Sequence, residues 1–289
     1  MIPGTFEYHA PRHLDDALGL LAEYRDDGKL LAGGQSLIPV MKLRLAEPKH
    51  IIDINRIAGL SHIAETSDEL RIGALTRERD LERSDIVRQR YPLLLDTANV
   101  IADPLVRNLA TVGGNLAHAD PANDHPATML AYRASVVALG PNGERVIPID
   151  DFFISAFETT LQPDEILTEV RIPKPNGRAG GAYVKLERKV GDYAIAAAAV
   201  QLSFAYDGTI AEAGIAVTNV SYTPERSSAA EAIVRGNRLT DDVIRAAAQA
   251  AADACEPTAD LRGSVEYKRA MTRTMTARAL RLALVRAGA

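Results

Sequence analysis

The residues best suited to chemistry form two short glycine-centred segments. The first is Leu31-Ala32-Gly33-Gly34-Gln35-Ser36-Leu37 and the second is Thr111-Val112-Gly113-Gly114-Asn115-Leu116. Each reads as an apolar strand, a glycine pair and a small polar follower. Without a Cβ, glycine lets backbone approach a ligand closely or adopt positive φ. Successive N–H groups can then converge on one concavity and hold an anion. Gln35, Ser36, Thr111 and Asn115 add side-chain hydrogen bonds. A pyrophosphate suits such a site, because many short donors satisfy it without a buried lysine. A single Gly-Gly pair marks a tight turn as readily as a site. Two copies about 80 positions apart, with matching followers, shift the balance towards a ligand. Neither copy is GxGxxG, so a Rossmann site lacks its fingerprint, and neither has the GxxxxGK[ST] spacing, which excludes a P-loop.

Other chemistry is sparse. No acid–base pair and no nucleophile–histidine pair stands at a recognisable spacing, so no catalytic residue is assigned. That pattern fits an electron relay whose substrate chemistry happens elsewhere. Cys255 is the only cysteine. It cannot make an intrachain disulfide, a cysteine-ligated zinc site or an iron–sulfur cluster. His9, His13, His50, His62, His118 and His125 show no HExxH spacing. His118 and His125 flank Asp120 and Asp124, where a metal is conceivable but a polar loop is the plainer reading. No metal is expected on this chain.

The elements that must position the glycine segments follow from periodicity. Asp15–Asp27 reads as a helix, Lys29–Ala32 as a strand ending at Gly33, and Leu37–Leu45 as a helix with Pro39 in its first turn. His50–Ile54 and Glu69–Gly73 are short strands, and Thr76 looks like a helix cap. Pro92–Val100 and Pro126–Arg133 are helical. Ser135–Leu139 and Glu144–Ile149 bracket Pro141-Asn142-Gly143 as a hairpin, and Glu165–Ile172 alternates as a half-buried strand. Prolines and glycines cluster at Pro173–Gly181, the best domain boundary. Strands at Ala182–Glu187, Ala194–Tyr206 and Ile210–Val220 follow, then helices at Asp241–Ala254 and Val265–Arg286.

The bulk composition bounds the class. With 289 residues, 47% of them hydrophobic, the chain can bury the cores of two or three modest domains. A net charge of -5 argues against non-specific nucleic-acid binding. No run reaches the roughly 18 apolar residues of a spanning helix, and the N-terminus carries no secretory pattern. The chain reads as cytoplasmic, or attached to a membrane only through partners.

At this point a family resemblance becomes specific. AGGQSLIPVMKLRLAEPKHIIDIN at Ala32–Asn55 and TVGGNLAHADPANDHPATMLA at Thr111–Ala131 resemble the flavoprotein (medium) subunits of the xanthine dehydrogenase/aerobic carbon monoxide dehydrogenase family of molybdenum hydroxylases. The resemblance covers essentially the whole chain. It implies an α+β protein in which residues 1–175 form the two-subdomain FAD-binding fold of vanillyl-alcohol oxidase type, divided near residue 57. Residues 176–289 would form the antiparallel sheet-and-helix C-terminal domain. It also implies one non-covalent FAD held by Leu31–Leu37 and by Thr111, Gly113, Gly114 and Asn115. Asp124 would hydrogen-bond the cofactor, Lys185 and Tyr193 would lie near the flavin ring, and Ile101 would face the ring from the other side. The molybdenum cofactor would sit on a large partner subunit and two [2Fe-2S] clusters on a small one, in a dimer of heterotrimers.

Plainer readings stand beside these roles. Ile101 fits core packing, Tyr193 a strand edge, Lys185 a solvated strand position and Asp124 a cap on the helix near Pro126. Asp53 and Asn55 read as structural, and Asp103–Asn108 either shapes the pocket or positions the second motif. Two rival functions follow. One is a self-sufficient small flavin oxidase or reductase, for which the chain is short and lacks a covalent-attachment signal. The other is a non-enzymatic scaffold whose Ala194–Ala199 and Ala246–Ala252 segments pack against partners.

Overall fold

The computed structural model describes residues 2–288. Three sheets carry the architecture. The first is parallel and short. Its central strand His50–Asp53 pairs with Glu7–His9 on one side and with Gly28–Leu31 on the other. The helix Leu14–Tyr24 covers one face, burying Ala17 and Leu21 against Ile52 and Ile54. The crossover from Gly28–Leu31 to His50–Asp53 contains the first glycine segment and the helix Leu37–Lys42.

The second sheet is antiparallel and five-stranded. In spatial order its strands are Ile63–Glu65, Glu69–Gly73, Ile166–Pro173, Ser135–Gly140 and Gly143–Pro148. The last two form the expected hairpin, with Gly143 at φ 96°, where only glycine is unstrained. Helices Pro92–Val100, Val112–His118 and Asp124–Tyr132 pack with this sheet around Leu70, Ile72, Leu116, Met129 and Val170.

The third sheet is antiparallel and ordered Ala179–Leu186, Ala196–Phe204, Ile210–Thr218, Glu225–Arg226. Its two faces are spent differently, because successive side chains of a strand point to opposite sides. Ala197, Ala199 and Ala216 join the core of the preceding sheet and helices. Ala198, Val200 and Ile215 pack instead against helices Asp241–Ala254 and Val265–Arg286. The alanine-rich runs are therefore consumed inside the chain: Ala247, Ala248, Ala251 and Ala252 are buried too. Close approach explains the small residues. A Cβ at Gly214 would sit 1.9 Å from the Ala131 carbonyl, and one at Gly180 would sit 2.1 Å from that of Ala283. No helix among the described residues is long and apolar enough to cross a membrane.

Three local expectations are corrected. The second glycine segment is not a strand and a turn. Thr111 caps the helix Val112–His118 through its hydroxyl, which accepts from the Gly114 N–H at 3.2 Å, so both glycines lie in the first helical turn. Glycine is a poor helix former, but here tertiary packing requires it, as described below. Thr76 does not cap a helix. Its hydroxyl bonds the His62 carbonyl, and the helix Glu78–Arg83 starts after Arg77. The helix expected from Pro126 begins at Asp124, with Asn123 as its cap residue, so the Asp124 carboxylate is free for another role.

Candidate functional site

The two glycine segments meet. A Cβ on Gly33 would stand 2.3 Å from the Leu109 carbonyl oxygen and 2.9 Å from the Ala110 Cα, so only glycine lets the loops touch. A clamp holds them together. Asn55 donates from Nδ2 to the Ala32 carbonyl at 2.8 Å and accepts from Arg77 at 2.5 Å, while Arg77 also donates to the Leu109 carbonyl at 2.6 Å. Arg77 and Thr111 further share an isolated bridge. Gly113 fits against the Ala74 backbone, where a Cβ would approach to 2.8 Å.

What the first loop offers is a row of donors. Among the described residues, the backbone N–H groups of Gly33, Gly34, Gln35, Ser36 and Leu37 have no acceptor in the chain. Gly34 at φ 73° turns the backbone, and the Ser36 hydroxyl is not used as a helix cap. This is the nest geometry that suits an anion. On the second loop, which lines the same cleft, the buried Asn115 Oδ1 has no hydrogen-bond partner. A buried orphan acceptor is uncommon in a finished core and calls for a ligand or water.

The loops floor a cleft of about 740 Å³, within the usual range for small-molecule sites. Ala32, Gly33, Gly34, Gln35, Ser36, Leu37, Ile101, Thr111, Gly113, Gly114, Asn115, Asp124, Lys185 and Tyr193 all line it. Leu31 does not. Lys29 and Leu30 line it instead, and Leu31 packs beneath Gly34. These residues come from the first sheet's crossover, from the helices around the second sheet and from the third sheet. The cleft is thus a junction of all three units.

The third sheet delivers two side chains from one face of the strand Ala179–Leu186, Tyr183 and Lys185. The Lys185 side chain is 3% exposed, so it is no solvated strand lysine. Its ammonium donates to Asp124 at 2.9 Å and to the Val100 carbonyl at 3.1 Å, with Glu187 at 3.5 Å. The Tyr183 hydroxyl donates to the other Asp124 oxygen at 2.6 Å and meets Thr218 at 3.0 Å. Burial pushes the Asp124 carboxyl up, against the opposing pull of Lys185 and Tyr183. The same burial, with Asp124 beside it, raises the Tyr183 phenol well above its ordinary range.

Ile101 is 6% exposed and ends the helix Pro92–Val100, so it is both core and cleft wall. The next residue, Ala102, adopts φ 46°. Arg107 donates to the carbonyls of Ile101 and Ala102 at 3.1 and 3.0 Å, which fixes that turn against the cleft. Asp103 caps the following helix Pro104–Arg107. The segment Asp103–Asn108 therefore shapes one wall through Val106 and through the Ala102 turn that Arg107 holds.

Tyr193 lies in a loop, not on a strand edge, and is half exposed at the rim. Its neighbour Asp192 accepts from Arg262 at 3.0 Å and from Arg188 at 3.2 Å, and the Arg262 guanidinium sits 5.7 Å from the Tyr193 ring centroid. Arg262 first, then the Tyr193 N–H and Arg188, hold the Asp192 carboxyl down to about 2. A lowered carboxyl stabilises the fold above its unfolded value and loses that contribution as pH falls through the folded one. The stability difference between wild type and Asp192→Asn should therefore be full above about pH 4 and shrink as pH falls towards 2. Denaturant unfolding at several pH values reads this, and a difference constant with pH would show that Asp192 is not held by those arginines.

The conceivable metal cluster at His118 and His125 does not assemble. His118 packs against Phe157, with ring centroids 5.3 Å apart, and His125 is fully buried against Glu78 at 2.7 Å. Asn55 and Arg77 are the site residues that sequence reasoning missed. The Asp-Ile-Asn segment marked Asn55 as structural, but no local signal pairs it with an arginine 22 positions away.

Comparison with known proteins agrees with this geometry. Residues 4–175 match the FAD binding domain in molybdopterin dehydrogenase, and residues 181–283 match the CO dehydrogenase flavoprotein C-terminal domain. The chain is 47% identical to the carbon monoxide dehydrogenase medium chain of Hydrogenophaga pseudoflava, over 99% of each chain. It is 39% identical to the 6-hydroxypseudooxynicotine dehydrogenase complex subunit alpha of Paenarthrobacter nicotinovorans, over 99% of this chain and 97% of that one. A solved carbon monoxide dehydrogenase from Hydrogenophaga pseudoflava, lacking the Mo-pyranopterin moiety of its molybdenum cofactor, superposes with a TM-score of 0.96 at 49% identity over 99% of both chains.

Proposed function

Because the chain belongs to the family of FAD-binding domains of molybdopterin dehydrogenases, completed by a CO dehydrogenase flavoprotein C-terminal domain, we propose that it is the flavin subunit of a molybdenum-containing hydroxylase. Electrons arrive from [2Fe-2S] clusters on a small partner subunit and leave to a terminal acceptor. A large partner subunit carries the molybdenum cofactor and oxidises the substrate. The assembly is a cytoplasmic dimer of heterotrimers. Residues 1–175 form the FAD-binding domain, with subdomains about 1–57 and 58–175, and residues 176–289 the C-terminal domain.

The observation that carries this reading is the row of free N–H groups from Gly33 to Leu37 in a glycine-floored cleft that is also lined by Asn115, whose Oδ1 has no partner. That donor set fits a pyrophosphate, and the cleft's apolar walls at Ile101 and Leu167 fit a planar ring. When bound, FAD supplies the one- and two-electron chemistry, and the protein supplies orientation and electrostatics. The free N–H groups of Gly33–Leu37 would hold the diphosphate, and the Asn115 Oδ1 would accept from a ligand hydroxyl. Lys185 and Asp124 place a fixed charge pair in the wall, and Tyr193 narrows the rim. Cys255 is buried, and a lone thiol cannot ligate a cluster, so single-electron carriers come from the partner.

The purified chain or its complex should show an oxidised-flavin band at about 450 nm, the cofactor's own signature. Stoichiometric FAD should leave on denaturation. A colourless preparation that takes up no added FAD would end this reading.

A further inference from the structure

A second site lies in the first sheet, outside the cleft. We infer that Glu7, His9 and His50 form a binding site for a divalent cation of the zinc class, which ties the strand Glu7–His9 to its neighbour. Sequence spacing expects no metal on this chain. The fold changes that by bringing His9 and His50, 41 positions apart, into contact.

The placement follows from strand register. Glu7 pairs with His50 and His9 with Ile52 in a parallel ladder, so Glu7, His9 and His50 share one face. On the far side His50 pairs with Gly28. Because Gly28 has no side chain, Tyr24 lies over this position and stacks on His50 with ring centroids 3.7 Å apart and planes within 3°. Tyr24 also stacks on His9 at 5.0 Å. One tyrosine ring thereby orients both imidazoles.

The distances match a coordination shell. The His9 Nε2 and His50 Nδ1 atoms are 3.2 Å apart, and His50 Nδ1 is 3.5 Å from Glu7 Oε2. One ligand atom from each residue lies within 4.8 Å of the other two. Zinc bonds of about 2.0–2.1 Å in a tetrahedron place ligand atoms roughly 3.3 Å apart along each edge. Two of the three edges are near that length and the third lies within 4.8 Å, so a small closure of the exposed Glu7 side chain brings the three groups onto one face of the tetrahedron, with water at the fourth position. Imidazole and carboxylate suit zinc, nickel, copper and cobalt better than magnesium or calcium.

The test uses the untagged full chain after chelator treatment. Zinc titrated against a chromophoric competitor should fill one site per chain, and cobalt should give the intense visible spectrum of a four- or five-coordinate nitrogen-ligated ion. His9→Gln and His50→Gln should each weaken zinc by more than the ~10-fold that loss of an outer-shell partner costs. Glu7→Gln, at an exposed strand edge, keeps both imidazoles and should weaken it less. Zinc should raise the melting temperature of wild type and not of the His9→Gln/His50→Gln double variant. Flavin content should stay the same in all variants. Equal zinc affinity in wild type and the double variant, or a cobalt spectrum like that of the hydrated ion, would overturn the site. The cobalt measurement needs only wild type, so it decides even where a variant folds poorly. Loss of flavin would bear on the cleft and leave this result intact.

Discussion

Gly33→Ala should weaken FAD binding by roughly 5- to 150-fold, equivalent to about 1–3 kcal/mol of overpacking. The added methyl would meet the Leu109 carbonyl at 2.3 Å and the Ala110 Cα at 2.9 Å. Both are backbone, so neither can rotate away. Relief requires the loops to part, which breaks the Ala32–Asn55–Arg77–Leu109 clamp and spreads the N–H row. Gly113→Ala should behave alike, because it meets the Ala74 backbone at 2.8 Å. Gly114→Ala meets only the Thr111 hydroxyl at 2.6 Å. It displaces a helix cap, a loss of about 1 kcal/mol, and should be the mildest of the three. Gly19→Ala is the control, since an added Cβ in that exposed helical position touches nothing within 4 Å. It should leave FAD in place and, if anything, stabilise the helix by up to about 1 kcal/mol. Flavin absorbance per chain, with circular dichroism to verify folding, measures the series. Full FAD content in folded Gly33→Ala would refute the contact argument.

That ordering was only half legible in the sequence. The paired glycines and their polar followers are local, so their role as a donor cradle could be read from residue types alone. Why each glycine is needed could not, because Gly33 and Gly113 answer to Leu109 and Ala74, which reach them only through the fold. The same division runs through the architecture. The helices Asp241–Ala254 and Val265–Arg286 have the bounds that sequence reading gives them, because caps at Thr240 and Ser264 mark their starts. The second glycine segment misled, because a helix opening Val-Gly-Gly-Asn has poor intrinsic propensity and forms by tertiary packing and the Thr111 cap. The helix Ser228–Val234 is absent from the sequence reading; it is short, and its buried Glu231 is held by Arg133, Arg226 and the Ile215 N–H, which reach it only through the fold. Lys185 gave no sign of burial, since alternation with Val184 and Leu186 suits a lysine facing water equally well. Its partners Asp124 and Val100 lie 61 and 85 positions away.

The Asp124–Lys185 pair supports the second large effect, and the two single variants should differ. Asp124→Asn retains an acceptor for the Tyr183 hydroxyl but removes the charge facing Lys185 at 2.9 Å. An ammonium 3% exposed is then left short of its counter-charge. Breaking a buried pair this way typically costs about 3–5 kcal/mol, with Glu187 at 3.5 Å as the only other nearby anion and itself lacking a hydrogen-bond partner at Oε2. Lys185→Met leaves the opposite problem, a buried carboxyl without its counter-charge. Burial already pushes Asp124 up, and without Lys185 nothing comparable opposes it. It can take a proton and stay buried. The sign follows from the raised folded value: protonated Asp124 favours the fold at low pH, and that contribution is lost as pH rises through the folded value. Lys185→Met should therefore be least destabilised in mild acid and progressively more so towards neutral and alkaline pH. Asp124→Asn has no carboxyl there to titrate and should lack this trend. The double variant Asp124→Asn/Lys185→Met should recover much of the loss, because it leaves no uncompensated charge. Urea unfolding of the FAD-free chain across pH, for wild type, both single variants and the double, measures all four corners. A Lys185→Met penalty that grows as pH falls would contradict the raised Asp124 carboxyl. A double variant no better than the sum of the singles would show that the pair is not coupled.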